Sequence, residues 1–367
     1  MLFFLKQRIS LAHAKHEQKA ALDVHQTKKR MFDSNFFVSL ELAEIHTHLG
    51  FSVSPTMLWE IAHNQGLRLP TKNYFEFEKL VTMYESKGYE EYLMLFDLTE
   101  KIQSSPEALF LATETAVSSA YRKNNITTLE LRFNPILRSR SGERDLDHLI
   151  VFAIQGMERA MLKYPVNAGL ILMMDRRFTL RENEIIVEKA IKYKSRGIIG
   201  VDLAGPIHRT ESSKVFRPKD ILSCVREARK HELGVTVHTG ETTSTDEMWE
   251  VVNNLRPDRI GHGIACVTDE KLMNILKSKR IVLETCPTSN LHTKALKNID
   301  HMREMYKTLL QHDVPFTINT DGPEMQKISL RGEYQMLLEH NVLTKKELLT
   351  ANKLAHKVSF LKKGSSI

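Results

Sequence analysis

Ala43-Glu44-Ile45-His46-Thr47-His48-Leu49-Gly50 places two histidines one residue apart at the end of a short apolar run. The run reads as a β-strand, and side chains at i and i+2 of a strand share a face. His46 and His48 therefore present two imidazoles side by side, where one small cation can take both. Alone, the pair is a weak signal, because two buried, hydrogen-bonded histidines account for it equally well. The rest of the chain decides between these readings.

Working outward, β-rich apolar runs recur at Leu42–Thr47, Thr127–Phe133, Ala168–Met173, Ile198–Leu203, Val235–Val237, Asp258–Ile260, Ile281–Glu284 and Pro315–Asn319. Most are followed by an amphipathic helical pattern: Asp145–Leu162, Glu182–Lys194, Lys219–Glu232, Asp246–Leu255, Asp269–Lys279, Ile299–Gln311 and Leu330–Glu339. Strands alternating with helices imply parallel βαβ units. Such a series, with no Gly-x-Gly-x-x-Gly after its first strand, predicts an α/β fold of the closed (β/α)8 TIM-barrel type rather than an open doubly wound sheet. Ser244-Thr245-Asp246-Glu247 reads as a capping box, and Arg217-Pro218 as proline in a first helical turn.

Two stretches stand outside the repeat. Residues 1–40 read as an N-terminal helical extension with a connector, leaving 41–367 as the barrel domain. Residues 54–124 carry helical segments at Pro55–Gln65, Phe75–Ser86, Tyr89–Lys101 and Pro106–Asn124, far more than a crossover needs. A long insertion at a barrel mouth builds a lid over the substrate.

Composition narrows the function. The net charge is +7, and Lys6, Arg8, Lys15, Lys19, Lys28, Lys29 and Arg30 against Glu17 and Asp23 put most of it in the extension. The near-neutral remainder has no nucleic-acid motif. Cys224, Cys266 and Cys286 are odd in number and widely spaced, which argues against a disulfide framework and for a reducing, cytoplasmic setting. The apolar start, Met1 to Leu5, is too short for a signal-peptide core, and no run is long enough to span a membrane. A monomer or small homo-oligomer acting on a small molecule is expected.

In a parallel barrel the chemistry sits at the C-terminal ends of the strands. Strand one ends in His46-Thr47-His48, strand four in Asp202-Leu203-Ala204-Gly205, strand five in His238-Thr239-Gly240-Glu241 and strand six in Gly261-His262-Gly263. Strand seven runs into Cys286-Pro287-Thr288-Ser289-Asn290, and strand eight into Thr320-Asp321-Gly322-Pro323. Taken singly, Asp321 is a turn aspartate, His262 a turn histidine and Asp202 a buried structural carboxylate. Together, His46, His48, His238 and Asp321 can hold one divalent ion, zinc first among them, with room for water. Glu241 is then free to shuttle a proton, and His262 to orient or deprotonate the water. The remaining histidines fit no such pattern.

These motifs, in this order over residues 42–340, resemble the adenosine deaminase family of the amidohydrolase superfamily. The resemblance implies zinc on His46, His48, His238 and Asp321, hydrolytic attack on the purine carbon that bears the amine, and release of ammonia to leave a 6-oxo product. It implies that Glu241 protonates the adjacent ring nitrogen and that His262 and Asp321 handle the water proton. The Gly205 N–H would contact another ring nitrogen, and Ser289 and Asp202 would support the metal site from behind. Three positions depart from the family pattern. Gly50 and Gly322 stand where carboxylates commonly contact the ribose and the purine five-membered ring, and Pro206-Ile207 follow the Asp-Leu-Ala-Gly run. Gly50 and Gly322 are therefore expected to mark a changed substrate contact. Adenosine is the first expectation. Another amino-heterocycle (adenine, a modified adenosine, 6-aminodeoxyfutalosine) and a non-catalytic binding protein of the same fold are the alternatives.

Overall fold

The computed structural model describes residues 37, 39–85, 88–141, 144–206 and 216–361. The chain separates into two units at Leu40/Glu41. Of the first, only Phe37, Ser39 and Leu40 are described, so the helical extension expected over 1–40 lies outside the described residues.

Eight strands make one sheet in sequence order: β1 (Leu42–His48), β2 (Ile126–Phe133), β3 (Asn167–Asp175), β4 (Ile198–Ala204), β5 (Gly234–Thr239), β6 (Arg259–His262), β7 (Val282–Thr285) and β8 (Phe316–Ile318). Each pairs in parallel with the next. The ring is drawn shut by a parallel bridge between Thr47 and Asp321, where the His48 N–H donates to the Asp321 carbonyl at 2.8 Å and the Asp321 N–H to the His46 carbonyl at 3.0 Å. This is the (β/α)8 barrel the repeat predicts, and all eight expected strands are present.

Four helices separate β1 from β2: α1 (Pro55–Asn64), α2 (Tyr74–Leu80), α3 (Tyr89–Ile102) and α4 (Pro106–Asn124). Ser54, Asn73 and Ser105 cap α1, α2 and α4 by accepting backbone N–H groups, with Pro55 and Pro106 in the first turns. The outer layer continues with α5 (Leu146–Lys163), α6 (Leu180–Lys192), α7 (Leu222–Lys230), α8 (Thr245–Glu250), α9 (Glu270–Lys279), α10 (Pro287–His292), α11 (Ile299–Gln311), α12 (Leu330–Glu339) and α13 (Lys345–Val358). One local expectation fails. Ser244 makes no side-chain cap on α8, because Glu247 is drawn inward to Arg176 at 2.8 Å and Thr239 at 2.5 Å.

The barrel interior carries charge. β2 alternates Leu129-Glu130-Leu131-Arg132, and both charged side chains are fully buried. The Arg132 guanidinium bridges Asp202 of β4 at 3.0 Å and Glu284 of β7 at 2.9 Å. Arg259 of β6 takes the other Glu284 oxygen at 2.6 Å and pairs with Glu130, with its guanidinium 3.6 Å from the Phe360 ring centroid. Buried charges survive only when paired and hydrogen-bonded. This ladder holds β2, β4, β6 and β7 in fixed register below the site.

Candidate active site

β1 carries a bulge between Glu44 and Thr47, and both of its histidines are buried. The His46 and His48 ring centroids lie 5.7 Å apart, and both Nε2 atoms approach Asp321 Oδ1, at 3.7 and 3.2 Å. His238, from the end of β5, brings its Nε2 within 3.2 Å of His48 Nε2. Among the described residues, His46, His238, His262 and Asp321 offer donor atoms that all lie within 4.8 Å of one another. His48 is outside that mutual group but touches two of its members.

The orientation of each ring has a cause. His46 Nδ1–H donates to Glu284 Oε2 at 2.6 Å, and His238 Nδ1–H to Asp202 Oδ2 at 2.9 Å. Both donations turn Nε2 and its lone pair toward Asp321. The Asn290 amide lies 3.0 Å from His262 Nδ1, and His262 Nε2 faces Glu241 Oε2 at 3.8 Å. His262 and Asp321 both hold left-handed backbone, φ 60° and 64°, a conformation costly for side-chain-bearing residues and concentrated at functional sites.

Electrostatics divides the groups. Burial pushes the imidazolium forms of His48, His238 and His262 down, so these rings are neutral at neutral pH. For Asp202, burial is outweighed by His238 and Arg132, and the carboxylate stays ionised. Burial is likewise outweighed at Glu284 by Arg132 and Arg259, and at Asp321 chiefly by His46, the one imidazole of the group whose pKa is raised. Glu241 goes the other way. Burial and the nearby Asp321 carboxylate push it up to about 8, so it carries a proton at neutral pH.

A pocket opens over these groups. Its floor is His48, His238, His262, Glu241 and Asp321, and α3 supplies the aromatic wall of Tyr89, Tyr92 and Phe96. Gly205, Asp175 and Arg177 also line it, with Arg177 forked onto Asp175 at 2.7 and 3.0 Å. His46 Nε2 and Asp321 Oδ1 are buried with no hydrogen-bond partner among the described residues. One divalent cation satisfies these atoms together, and a donor set of imidazoles and one carboxylate suits zinc or a similar ion.

Of the residues singled out in the sequence, His46, His48, His238, Glu241, His262 and Asp321 converge here. Ser289 Oγ–H donates to Asp321 Oδ2 at 2.5 Å, and Asp202 sits behind His238. Gly205 lines the pocket, but Gly50 and Gly322 do not. A Cβ on Gly50 would sit 2.6 Å from Glu100 Oε1, facing the buried Glu100–Arg138 pair. A Cβ on Gly322 would sit 2.9 Å from Phe51 Cβ. At both positions a side chain would meet packing, Glu100 at 50 and Phe51 at 322.

Sequence reasoning passed over Glu284, Arg132, Arg176 and Tyr92. The charged residues alternating through apolar strands were a usable signal for Arg132 and Glu284. Arg176 follows the end of β3, where it ties the His238 and Gly205 carbonyls together. Tyr92 carried no signal, because an aromatic at helical spacing reads as core.

A family model described as Adenosine deaminase matches residues 42–366. The adenosine deaminase of Vibrio atlanticus is 28% identical over 325 residues, covering 88% of this chain and 95% of that protein. The adenosine deaminase of Clostridium kluyveri is 30% identical over 298 residues, 81% and 83% of the two chains. Among solved structures, the N6-mAMP deaminase of Arabidopsis superposes with a TM-score of 0.76 at 26% identity, covering 90% of this chain and 96% of that one. The chain belongs to the adenosine deaminase family and is a hydrolytic deaminase.

Proposed function

We propose that the protein is a zinc-dependent deaminase that converts a 6-aminopurine nucleoside, adenosine first, to the 6-oxo product and ammonia. The observation that carries this reading is the Glu241 carboxyl facing a pocket lined by His48, His238 and His262 around an Asp321 whose Oδ1 has no hydrogen-bond partner among the described residues. His46, His48, His238 and Asp321 would hold the ion. When bound, such an ion lowers the pKa of water to about 7 and so supplies the nucleophile at neutral pH.

The chain's own groups do the rest. Glu241 donates its proton to the ring nitrogen beside the reacting carbon, which breaks the aromaticity that protects that carbon. Neutral His262 takes a proton from the attacking water at Nε2, and the ionised Asp321 stabilises the charge it acquires. Glu284 and Asp202 fix the tautomers of His46 and His238. Tyr89, Tyr92, Phe96 and Met173 hold the purine plane and exclude water, while the Gly205 N–H contacts a further ring nitrogen. Residues 41–367 form the catalytic domain and 54–124 its lid. The buried free thiols of Cys224, Cys266 and Cys286 support a cytoplasmic setting, and among the described residues no helix is long and apolar enough to cross a membrane.

A second reading rests on Gly50 and Gly322. Their turn into packing leaves two substrate-reading carboxylates without a counterpart, which favours a base or a modified nucleotide over adenosine. The Arabidopsis relative, an N6-mAMP deaminase, supports it. Purified protein assayed on adenosine, deoxyadenosine, adenine and N6-methyl-AMP for ammonia release decides between the two. Turnover of adenosine, lost on dialysis against a chelator and restored by zinc, is expected. Turnover of adenine or N6-methyl-AMP without adenosine establishes the second reading, and full activity of metal-free protein overturns both.

A further inference from the structure

Asp321 divides its two oxygens. Oδ1 faces His46 and His48, while Oδ2 accepts two hydroxyl protons, from Ser289 at 2.5 Å and from Tyr92 at 2.7 Å. Ser289 belongs to the barrel, at the start of the segment after β7. Tyr92 does not: it comes from α3, in the insertion between β1 and β2. The insertion therefore reaches past the pocket wall and bonds directly to a group at its floor.

Tyr92 is seated for this task. Its ring packs edge-on against Phe51 at 5.2 Å and lies parallel to Tyr89 at 6.5 Å, and its own exposure is 7%. Phe51 in turn occupies the space in front of Gly322, the residue after Asp321. With any side chain at 322, Phe51 has to shift, and Tyr92 with it. Gly322, Phe51, Tyr92 and Asp321 form one closed loop of contacts, in which the bare Gly322 leaves room for the ring that packs against Tyr92. Among charge-assisted hydrogen bonds, a hydroxyl on a buried carboxylate is one of the strong ones.

We propose that Tyr92 is a positioning residue for Asp321, building on the metal-dependent reading above. By holding Oδ2 from the lid side, it fixes the carboxylate plane so that Oδ1 alone points at the imidazoles. It also makes the geometry of the floor depend on α3 being in place. Zinc retention and turnover then both require the Tyr92 hydroxyl, although Tyr92 touches neither the imidazoles' Nε2 atoms nor the reacting atoms.

The test is Tyr92→Phe, which keeps the ring and its packing and removes one oxygen, with Ser289→Ala as the second variant at the same carboxylate oxygen. Protein loaded with one equivalent of zinc is mixed with a chromophoric chelator, and the rate of zinc transfer is followed. The same preparations are assayed for kcat and KM on the best aminopurine, and their circular dichroism is compared with wild type. Groups that orient a ligand residue change metal affinity or activity by about 10–100-fold when removed. The expected result is zinc release faster by about 10-fold or more and kcat lower by a similar factor, with KM within about 3-fold of wild type and unchanged dichroism. Ser289→Ala gives the same signature, and the double variant loses more zinc affinity than either single one. Tyr92→Phe that holds zinc like wild type overturns the proposal. So does a rise in KM without change in zinc release, which makes the Tyr92 hydroxyl, and not only the ring, a substrate contact. Wild type that retains zinc but deaminates no aminopurine overturns the functional reading alone, and the zinc-transfer rates still judge Tyr92.

Discussion

His46 and Glu284 lie on strands β1 and β7, and their side chains meet at 2.6 Å, Nδ1 to Oε2, with neither exposed to solvent. Glu284 also carries Arg132 on the same oxygen and Arg259 on the other. One carboxylate thus orients a proposed metal ligand and neutralises two buried guanidinium groups. Glu284→Gln is expected to weaken zinc binding and turnover by about 10–100-fold. It should also destabilise the fold by about 3–5 kcal/mol, since Arg132 and Arg259 lose a shared counter-charge. Chelator competition and urea unfolding of the same preparation measure the two effects. A variant that binds zinc normally would remove Glu284 from the orienting role.

Glu241 separates chemistry from metal binding. Its carboxyl faces the pocket, with Thr293 as a hydrogen-bond partner, and it is not in the mutual donor group. Glu241→Gln should lower kcat by about 10²–10⁴-fold, the usual worth of a positioned proton donor. Zinc content measured by atomic absorption should stay at the wild-type level. Loss of zinc together with activity would make Glu241 a ligand instead.

Gly205 closes β4 with φ +88°, and a Cβ there would stand 2.5 Å from Asp175 Oδ1. Gly205→Ala therefore meets both backbone strain and a collision with the Asp175–Arg177 pair on the pocket wall. Destabilisation of about 1–3 kcal/mol is expected. KM should rise more than kcat falls, because the displaced pair borders the substrate and not the reacting atoms. Steady-state kinetics showing the reverse pattern would place Gly205 in the chemical step.

Glu333 gives a pH dependence away from the site. It is fully buried on α12, accepts the Thr288 N–H at 3.1 Å, and burial pushes it up to about 8. In the unfolded chain it ionises near its ordinary value. Between that value and about 8 the folded state thus keeps a proton that the unfolded state has released, and stability falls as pH rises through this window. Wild type should lose more unfolding free energy than Glu333→Gln between about pH 5 and pH 8. Glu241, whose raised value does not depend on Glu333, is present in both proteins and cancels in the comparison. Equal slopes in urea titrations would show that Glu333 stays ionised when folded.

The sequence was most readable where period and position agree. Each β-run is short, apolar and followed by a helix, and its polar residues gather at one end. That coincidence identified the barrel and brought His46, His48, His238, His262 and Asp321 together without reference to distance. It was least readable where the partner comes from another layer. Tyr92 looks like a buried aromatic of an amphipathic helix until its hydroxyl is seen on Asp321, 229 residues away. Gly50 and Gly322 follow site histidine and aspartate so closely that they suggest pocket positions, yet the backbone turns them onto Glu100 and Phe51. The Ser244 cap failed for a similar reason, since Glu247 is claimed by a guanidinium on another loop.

The bridge between Thr47 and Asp321 bears on how the chain is made. It joins residues 274 positions apart, one in the first strand and one just past the last. A ribosome delivers the N-terminal part first, so His46 and His48 emerge long before Asp321 exists. Until β8 is released, β1 lacks the neighbour that completes its hydrogen bonding, and the imidazoles lack their carboxylate. Contacts so distant in sequence are slow to form. Barrel sealing and the birth of the metal-binding floor are therefore one late event, and a nascent chain stalled before β8 has neither.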